Sequence, residues 1–105
     1  MFVYSVLVTI KKEIENEWRE FMLNKHLRDV LNTRCFTSYK MLRELSETEN
    51  DEYVNYRIDY NLVSKDKMDN YISDYSKELR DDVVKIFDGK FTATRTFSEV
   101  IKSFN

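Results

Sequence analysis

His26 is the only histidine of this sequence, and the only side chain type present whose ordinary pKa lies near neutrality. It falls four residues after Met22 and eight after Trp18, the only Trp, so a helix carries all three near one face. In a cleft between that helix and a sheet, these residues and Tyr4 would touch a ligand or pass a proton. The plainer alternative is a structural histidine that hydrogen-bonds backbone where the helix breaks, and a Trp that packs in the core or a subunit interface. Two arginines also stand out. Arg95 shares a strand face with Phe91, Ala93 and Phe97, so it needs a carboxylate, a backbone carbonyl or an anionic ligand, and a structural partner is the plainer choice. Arg57 and Asp59 are two apart on a strand and, with Asn55 and Tyr53, form a polar ladder that lines either a pocket or a solvated sheet face. No metal site is expected, because Cys35 and Asp29 are the only further ligands near His26 and no C-x-x-C or H-x-x-x-H spacing occurs. No phosphate-binding loop, paired catalytic carboxylates or Ser/His/Asp set appears, so no cofactor is expected either.

The elements that must hold these residues belong to one small domain of 105 residues, read as a single unit over 1–105. There is no Pro and one Gly, so no flexible linker divides it, while seven Tyr and seven Phe supply large buried areas. A net charge of −2, from 17 basic and 19 acidic residues, excludes the basic footprint of a nucleic-acid binder and a polybasic membrane patch. The single Cys35 cannot form an internal disulfide, which fits a reducing compartment. The apolar start MFVYSVLVTI lacks the basic flank and small-residue cleavage site of a secretion signal, and it is too short to span a bilayer. It reads as a strand, and the protein is expected to be cytoplasmic.

Phe2 to Ile10 alternates a wholly apolar face with a mixed one, as a central strand does. Glu13 to Asn32 follows as a helix with Ile14, Trp18, Phe21 and Met22 on one stripe, acids in its first turns and Lys25 and Arg28 near its end. Leu27, Val30 and Leu31 then fall out of phase, which predicts a kink or a short second helix near His26 to Arg28. Phe36 to Leu45 is a second strand, Ser46 to Glu52 a longer acidic connection, and Glu52 to Leu62 a third strand with the cleanest alternation in the chain. Ser64 caps a second helix with Met68, Tyr71, Ile72, Tyr75, Leu79, Val83, Ile86 and Phe87 as its stripe. Gly89 stands where a left-handed C′ residue belongs. Phe91 to Phe97 is the fourth strand, and the tail from Ser98 to Asn105 carries Val100, Ile101 and Phe104 at the spacing of a short helix.

The order β-α-β-β-α-β predicts a ferredoxin-like α+β fold, a four-stranded antiparallel sheet with two helices on one face. Leu7, Tyr39, Met41 and Tyr53 are expected on the opposite face, which a second copy, a nucleic acid or a small ligand would cover. RNA-binding domains share this topology, but the third strand lacks their glycine and basic residue, and its Tyr56 and Tyr60 face the helices.

The run Trp18-x-x-Phe21-Met22-x-x-x-His26, then Asp29-Val30-Leu31 and Phe36, resembles the start of a small bacterial family, domain of unknown function 4286. Its second half is similar to Leu79-Arg80, Phe87-Asp88-Gly89-Lys90-Phe91 and Arg95-Thr96-Phe97. Many members of that family have Pro two residues after the His; Arg28 stands there in this chain. The resemblance implies a dimeric ferredoxin-like α+β barrel and no established activity. The expected role is a homodimeric binding, interaction or regulatory module, without nucleic acid or membrane. The alternative is a cofactor-independent oxygenase or isomerase with a small-molecule pocket near His26 and Trp18. Candidate ligand-contacting residues are His26, Trp18, Tyr4, Arg57 and Arg95.

Overall fold

A computed structural model describes residues 1–45 and 52–104. The acidic connection read at Ser46 to Glu52 therefore lies, but for Glu52, outside the described residues. The alternation of β1 (Phe2–Lys11) decides the architecture. Tyr4, Val8 and Ile10 point into the core and are buried, while Leu7 on the other face is exposed. β1 pairs antiparallel with β3 (Tyr53–Leu62) on one side and with β4 (Phe91–Glu99) on the other; β2 (Ser38–Arg43) adds to β3. The sheet order is β2-β3-β1-β4. The register sets Tyr4 against Tyr60, Val6 against Ile58 and Val8 against Tyr56, so the even residues of β1 and β3 form one continuous inner face. Ile10, Ile58 and Leu62 are at most 1% exposed, each contributing roughly 1.5–3 kcal/mol by burial.

The same register settles which face of β4 meets the helices. Phe91, Ala93, Arg95 and Phe97 lie opposite Ile10, Val8, Val6 and Tyr4, so they share the inner face, and the threonines at 92, 94 and 96 share the outer one. It also corrects two residues. Tyr39 and Met41 pair with Tyr60 and Ile58 and so belong to the inner face, not the outer. Leu7, Leu42 and Tyr53 remain as exposed large side chains of the outer face.

After a single 3₁₀ turn, Lys12–Ile14, α1 (Glu15–Phe21) begins. The loss of phase near His26 is not a break. Met22–His26 forms a π-helical turn, the Leu27 N–H donates to the Met22 carbonyl five residues back, and α2 (Leu27–Asn32) continues from it. The buried positions step from Trp18 to Met22 by four and from Met22 to Leu27 by five. The extra residue returns Leu27 and Val30 to the core and swings His26 to the side.

The second helical segment, read as one helix, is two: α3 (Lys65–Asp74) and α4 (Ser76–Phe87), parted at Tyr75 (φ −129°, ψ −35°). Ser64 caps α3 as expected, its Oγ accepting from the Lys67 N–H at 3.2 Å. Here too the buried positions step by five, from Tyr71 to Ser76, which puts Ile72, Tyr75 and Ile86 on the surface instead of in the stripe. The tail is corrected as well. Ser98 and Glu99 extend β4, and 100–104 carry no regular secondary structure, with the Val100 N–H donating to the Met1 carbonyl.

Gly89 does take a positive φ (76°), but as the third residue of a type II turn rather than as a helix C′. Asp88 is extended (φ −51°, ψ 133°), and the Lys90 N–H donates to the Phe87 carbonyl at 3.0 Å. A methyl group at Gly89 would meet nothing within 4 Å, so replacing it costs backbone strain alone. Gly89→Ala is expected to lower stability by about 1 kcal/mol in urea unfolding, and Gly89→Asn by less, because Asn visits this region more readily.

Candidate functional site

Two aromatic clusters build the wall between helices and sheet. Trp18 of α1 packs on Tyr56 of β3 with ring centroids 4.7 Å apart and is 1% exposed. Tyr4, Phe36, Tyr60 and Tyr71 form a second cluster, with Phe36 centred 4.8 Å from Tyr71 and 5.0 Å from Tyr60. A polar clamp fixes α1 to the sheet: the Glu15 carboxylate accepts from Arg43 Nε at 2.6 Å and from the Tyr56 hydroxyl at 2.5 Å. The Arg43 guanidinium holds the Glu15 carboxyl below the usual carboxylate range.

The helices cover β3 and β1 well and β4 poorly. On the inner face of β4, Phe91 and Ala93 are only half-buried, and Arg95 and Phe97 are exposed. The uncovered strip opens into a cleft of about 290 Å³ between the helices and the β1–β4 half of the sheet. Its floor is Tyr4, Val6 and Val8 of β1 with Ile58 and Tyr60 of β3. Trp18, Met22 and His26 form one wall; Tyr71, Arg80 and Val83 form the other; Phe91, Ala93 and Arg95 close the β4 side.

Four of the five residues singled out from sequence meet there: Tyr4, Trp18, His26 and Arg95. Arg57 does not. It lies on the outer face, where its Nε donates to Asp59 at 2.8 Å, and Asp59 also accepts from the Ser5 hydroxyl at 2.7 Å. Sequence reading missed Tyr60, Tyr71 and Arg80. Tyr60 and Tyr71 had been placed only as core. Arg80 is brought to the cleft by the five-residue step at Tyr75, which restarts the helix at Ser76 and which no sequence signal marks.

The electrostatics of the cleft are set by burial. The His26 imidazole stacks near Phe21 (centroids 6.1 Å apart), and burial pushes its pKa down to about 4 against the pull of Asp29, so it is neutral at pH 7. Burial raises the Tyr4, Tyr60 and Tyr71 hydroxyls above the ordinary phenol range, so all three are neutral donors and acceptors. The positive charge of Arg95 lies near the Tyr4 hydroxyl and partly offsets that rise. The walls can thus receive an organic molecule with an apolar body, offering it neutral hydrogen-bonding groups inside and guanidinium donors at the rim. Among the described residues no cluster of His, Cys, Asp and Glu is placed to hold a metal ion, and no helix is long and apolar enough to cross a membrane.

An antiparallel sheet in the order β2-β3-β1-β4 under one layer of helices defines a ferredoxin-like fold. Solved structures agree. A dimeric ferredoxin-like protein from an uncultured marine organism superposes with a TM-score of 0.71 at 15% identity, covering 100% of this chain and 99% of its own. HapK from Hahella chejuensis gives 0.70 at 10% identity, covering 100% and 97%. A mutant of SnoaB, a cofactor-independent oxygenase from Streptomyces nogalater, gives 0.64 at 10% identity, covering 97% and 95%. At these identities the likeness establishes the fold alone. The chain belongs to the family Domain of unknown function (DUF4286), whose sequence model matches residues 1–101. No curated protein matches the chain in sequence.

The buried imidazole links the site to stability. Below pH about 6.5 the unfolded chain takes up a proton at His26 that the folded chain refuses until about pH 4. The stabilising contribution is therefore complete above pH 6.5 and is lost as pH falls toward 4, a change on the order of 3 kcal/mol. Urea unfolding across pH 4 to 7 is expected to show this slope, and His26→Gln is expected to flatten it.

Proposed function

We propose that this chain is a homodimeric binding domain for a small organic molecule, held in the cleft between α1, α4 and β4. The observation that carries the reading is the convergence of Tyr4, Trp18, His26 and Arg95 on one cleft of about 290 Å³, an unusual opening in so small a core. A domain that served only to present a surface would gain stability by closing it.

The outer sheet face supports the dimer. Leu7, Leu42 and Tyr53 are 41–43% exposed there, amid a network of paired polar side chains (Ser5–Asp59–Arg57, Thr9–Asn55, Asn61–Ser38) that suits the rim and centre of an interface. The marine neighbour, described as dimeric, is consistent with the same arrangement. Sedimentation at high concentration is expected to give twice the chain mass, and Leu7→Arg to give the monomer with an unchanged fold. A strict monomer in the unaltered protein sinks this part of the proposal.

A second reading is a cofactor-independent enzyme of oxygenase or isomerase type. The neutral His26 in the cleft wall favours it, since an unprotonated imidazole can accept a substrate proton as it forms. SnoaB, described as a cofactor-independent oxygenase, shares the fold. One experiment separates the readings. Calorimetric titration with a panel of small aromatic and aliphatic compounds is expected to find a saturable ligand, and Ala93→Trp, which fills the cleft, to abolish it. Turnover of that ligand by the purified chain, lost in His26→Gln while binding persists, marks the enzyme. Binding without turnover marks the binding domain, and equal binding by Ala93→Trp refutes the cleft.

A further inference from the structure

The rim of the cleft carries more positive charge than the fold uses. Arg43 is held by Glu15 at 2.6 Å and Arg57 by Asp59 at 2.8 Å. Arg80 and Arg95 are different. Arg80 donates to the Ser76 hydroxyl at 3.2 Å, and Arg95 lines the cleft near Tyr4. Neither has a carboxylate within ion-pairing distance among the described residues. The nearby acids are committed elsewhere: Asp29 and Asp82, which act on His26, both bind the Lys25 ammonium, at 2.7 and 3.7 Å, and Asp81, which Arg80 acts on, binds Lys77 at 2.8 Å. The two guanidiniums act together, since each lowers the electrostatic cost of ionising both Tyr4 and Tyr71. A chain of net charge −2 thus places two cations, each with most of its five donors unused by carboxylates, at the mouth of its main apolar cleft.

We propose that the cleft ligand is an aromatic carboxylate, its ring system seated among Tyr4, Trp18 and Tyr60 and its carboxylate held at the mouth by Arg95 and Arg80. The inference rests on the small-molecule reading above and names the class of molecule. The aromatic body follows from the rings that line the floor and wall, which favour stacked or edge contacts. The carboxylate follows from the planar fork of donors that guanidinium offers, which matches two oxygens at once. His26 and Tyr71 inside the cleft are neutral, so the charge belongs at the rim and the uncharged end of the molecule goes inward.

The test uses three molecules of one shape: 2-naphthoate, 2-naphthamide and 2-naphthylmethylamine, titrated calorimetrically into the full chain at pH 7. The expected result is binding of the carboxylate roughly tenfold tighter than the amide, with the amine weakest. In the double variant Arg80→Gln/Arg95→Gln the carboxylate is expected to bind no better than the amide, because carboxylate affinity falls far more than amide affinity. Arg80→Gln alone, on the exposed flank of α4, is expected to remove part of the preference even if the double variant loses its fold. An amide that binds as tightly as the carboxylate, or a preference that survives in Arg80→Gln and in the double variant, overturns the carboxylate assignment and leaves the cleft reading standing. Binding of none of the three overturns both.

Discussion

The inward-facing residues of β3 and β4 are placed by the pairing of β1 along both of its edges. Ten residues of β1 are registered against β3 and nine against β4. A slip of one residue would turn Tyr4, Val8 and Ile10 to the solvent and bring Leu7 and Lys11 inward, so the register is held by the burial of a whole face. From that register follow the floor of the cleft, the position of Arg95 opposite Val6, and the outer location of the Arg57–Asp59 pair. The sheet is the fixed frame; the variation lies in how the helices are laid on it.

Both helical layers depart from the regular 3.6-residue repeat, and both do so by one extra residue. In the first the slip is absorbed in a π-helical turn between Met22 and Leu27; in the second it falls at Tyr75, between Tyr71 and Ser76. The slips flank the same cleft. Each turns a polar residue toward it, His26 from one side and Arg80 from the other. A π-turn recovers its backbone hydrogen bonds by reaching five residues back, so the helix stays continuous. This is how a small domain sets functional groups beside a core it cannot spare.

The strands and their order were legible in the sequence because strict alternation over Phe2 to Ile10 and Glu52 to Leu62 leaves little freedom in which residues face inward. So were the family, the cap at Ser64 and the positive φ of Gly89, though not the turn type that uses it. The face of β4 was not, since Phe91, Ala93, Arg95 and Phe97 and the alternating threonines both break a simple pattern; only pairing with β1 decides it. Tyr39 and Met41 misled because β2 is a short edge strand whose inner residues stay partly exposed. The slips in the helices were half legible. Leu27, Val30 and Leu31 announced the first by falling out of phase, but no Pro or Gly marked its form. The second was hidden by Ile72, Tyr75 and Ile86, which fit a continuous stripe and are on the surface. Of the candidate site, the residues with distinctive chemistry were found, and those that had first seemed mere core or mere surface, Tyr60, Tyr71 and Arg80, needed the assembled fold.

Trp18 is a packing residue, 1% exposed against Tyr56, and its uniqueness has an optical consequence. With one indole in the chain, buried against Tyr56 and bordering the cleft, all tryptophan emission originates at the site itself. Its dry surroundings favour a blue-shifted spectrum, and the nearby phenol rings pass excitation to it. The protein carries an intrinsic fluorophore that reads the state of its cleft with no label attached.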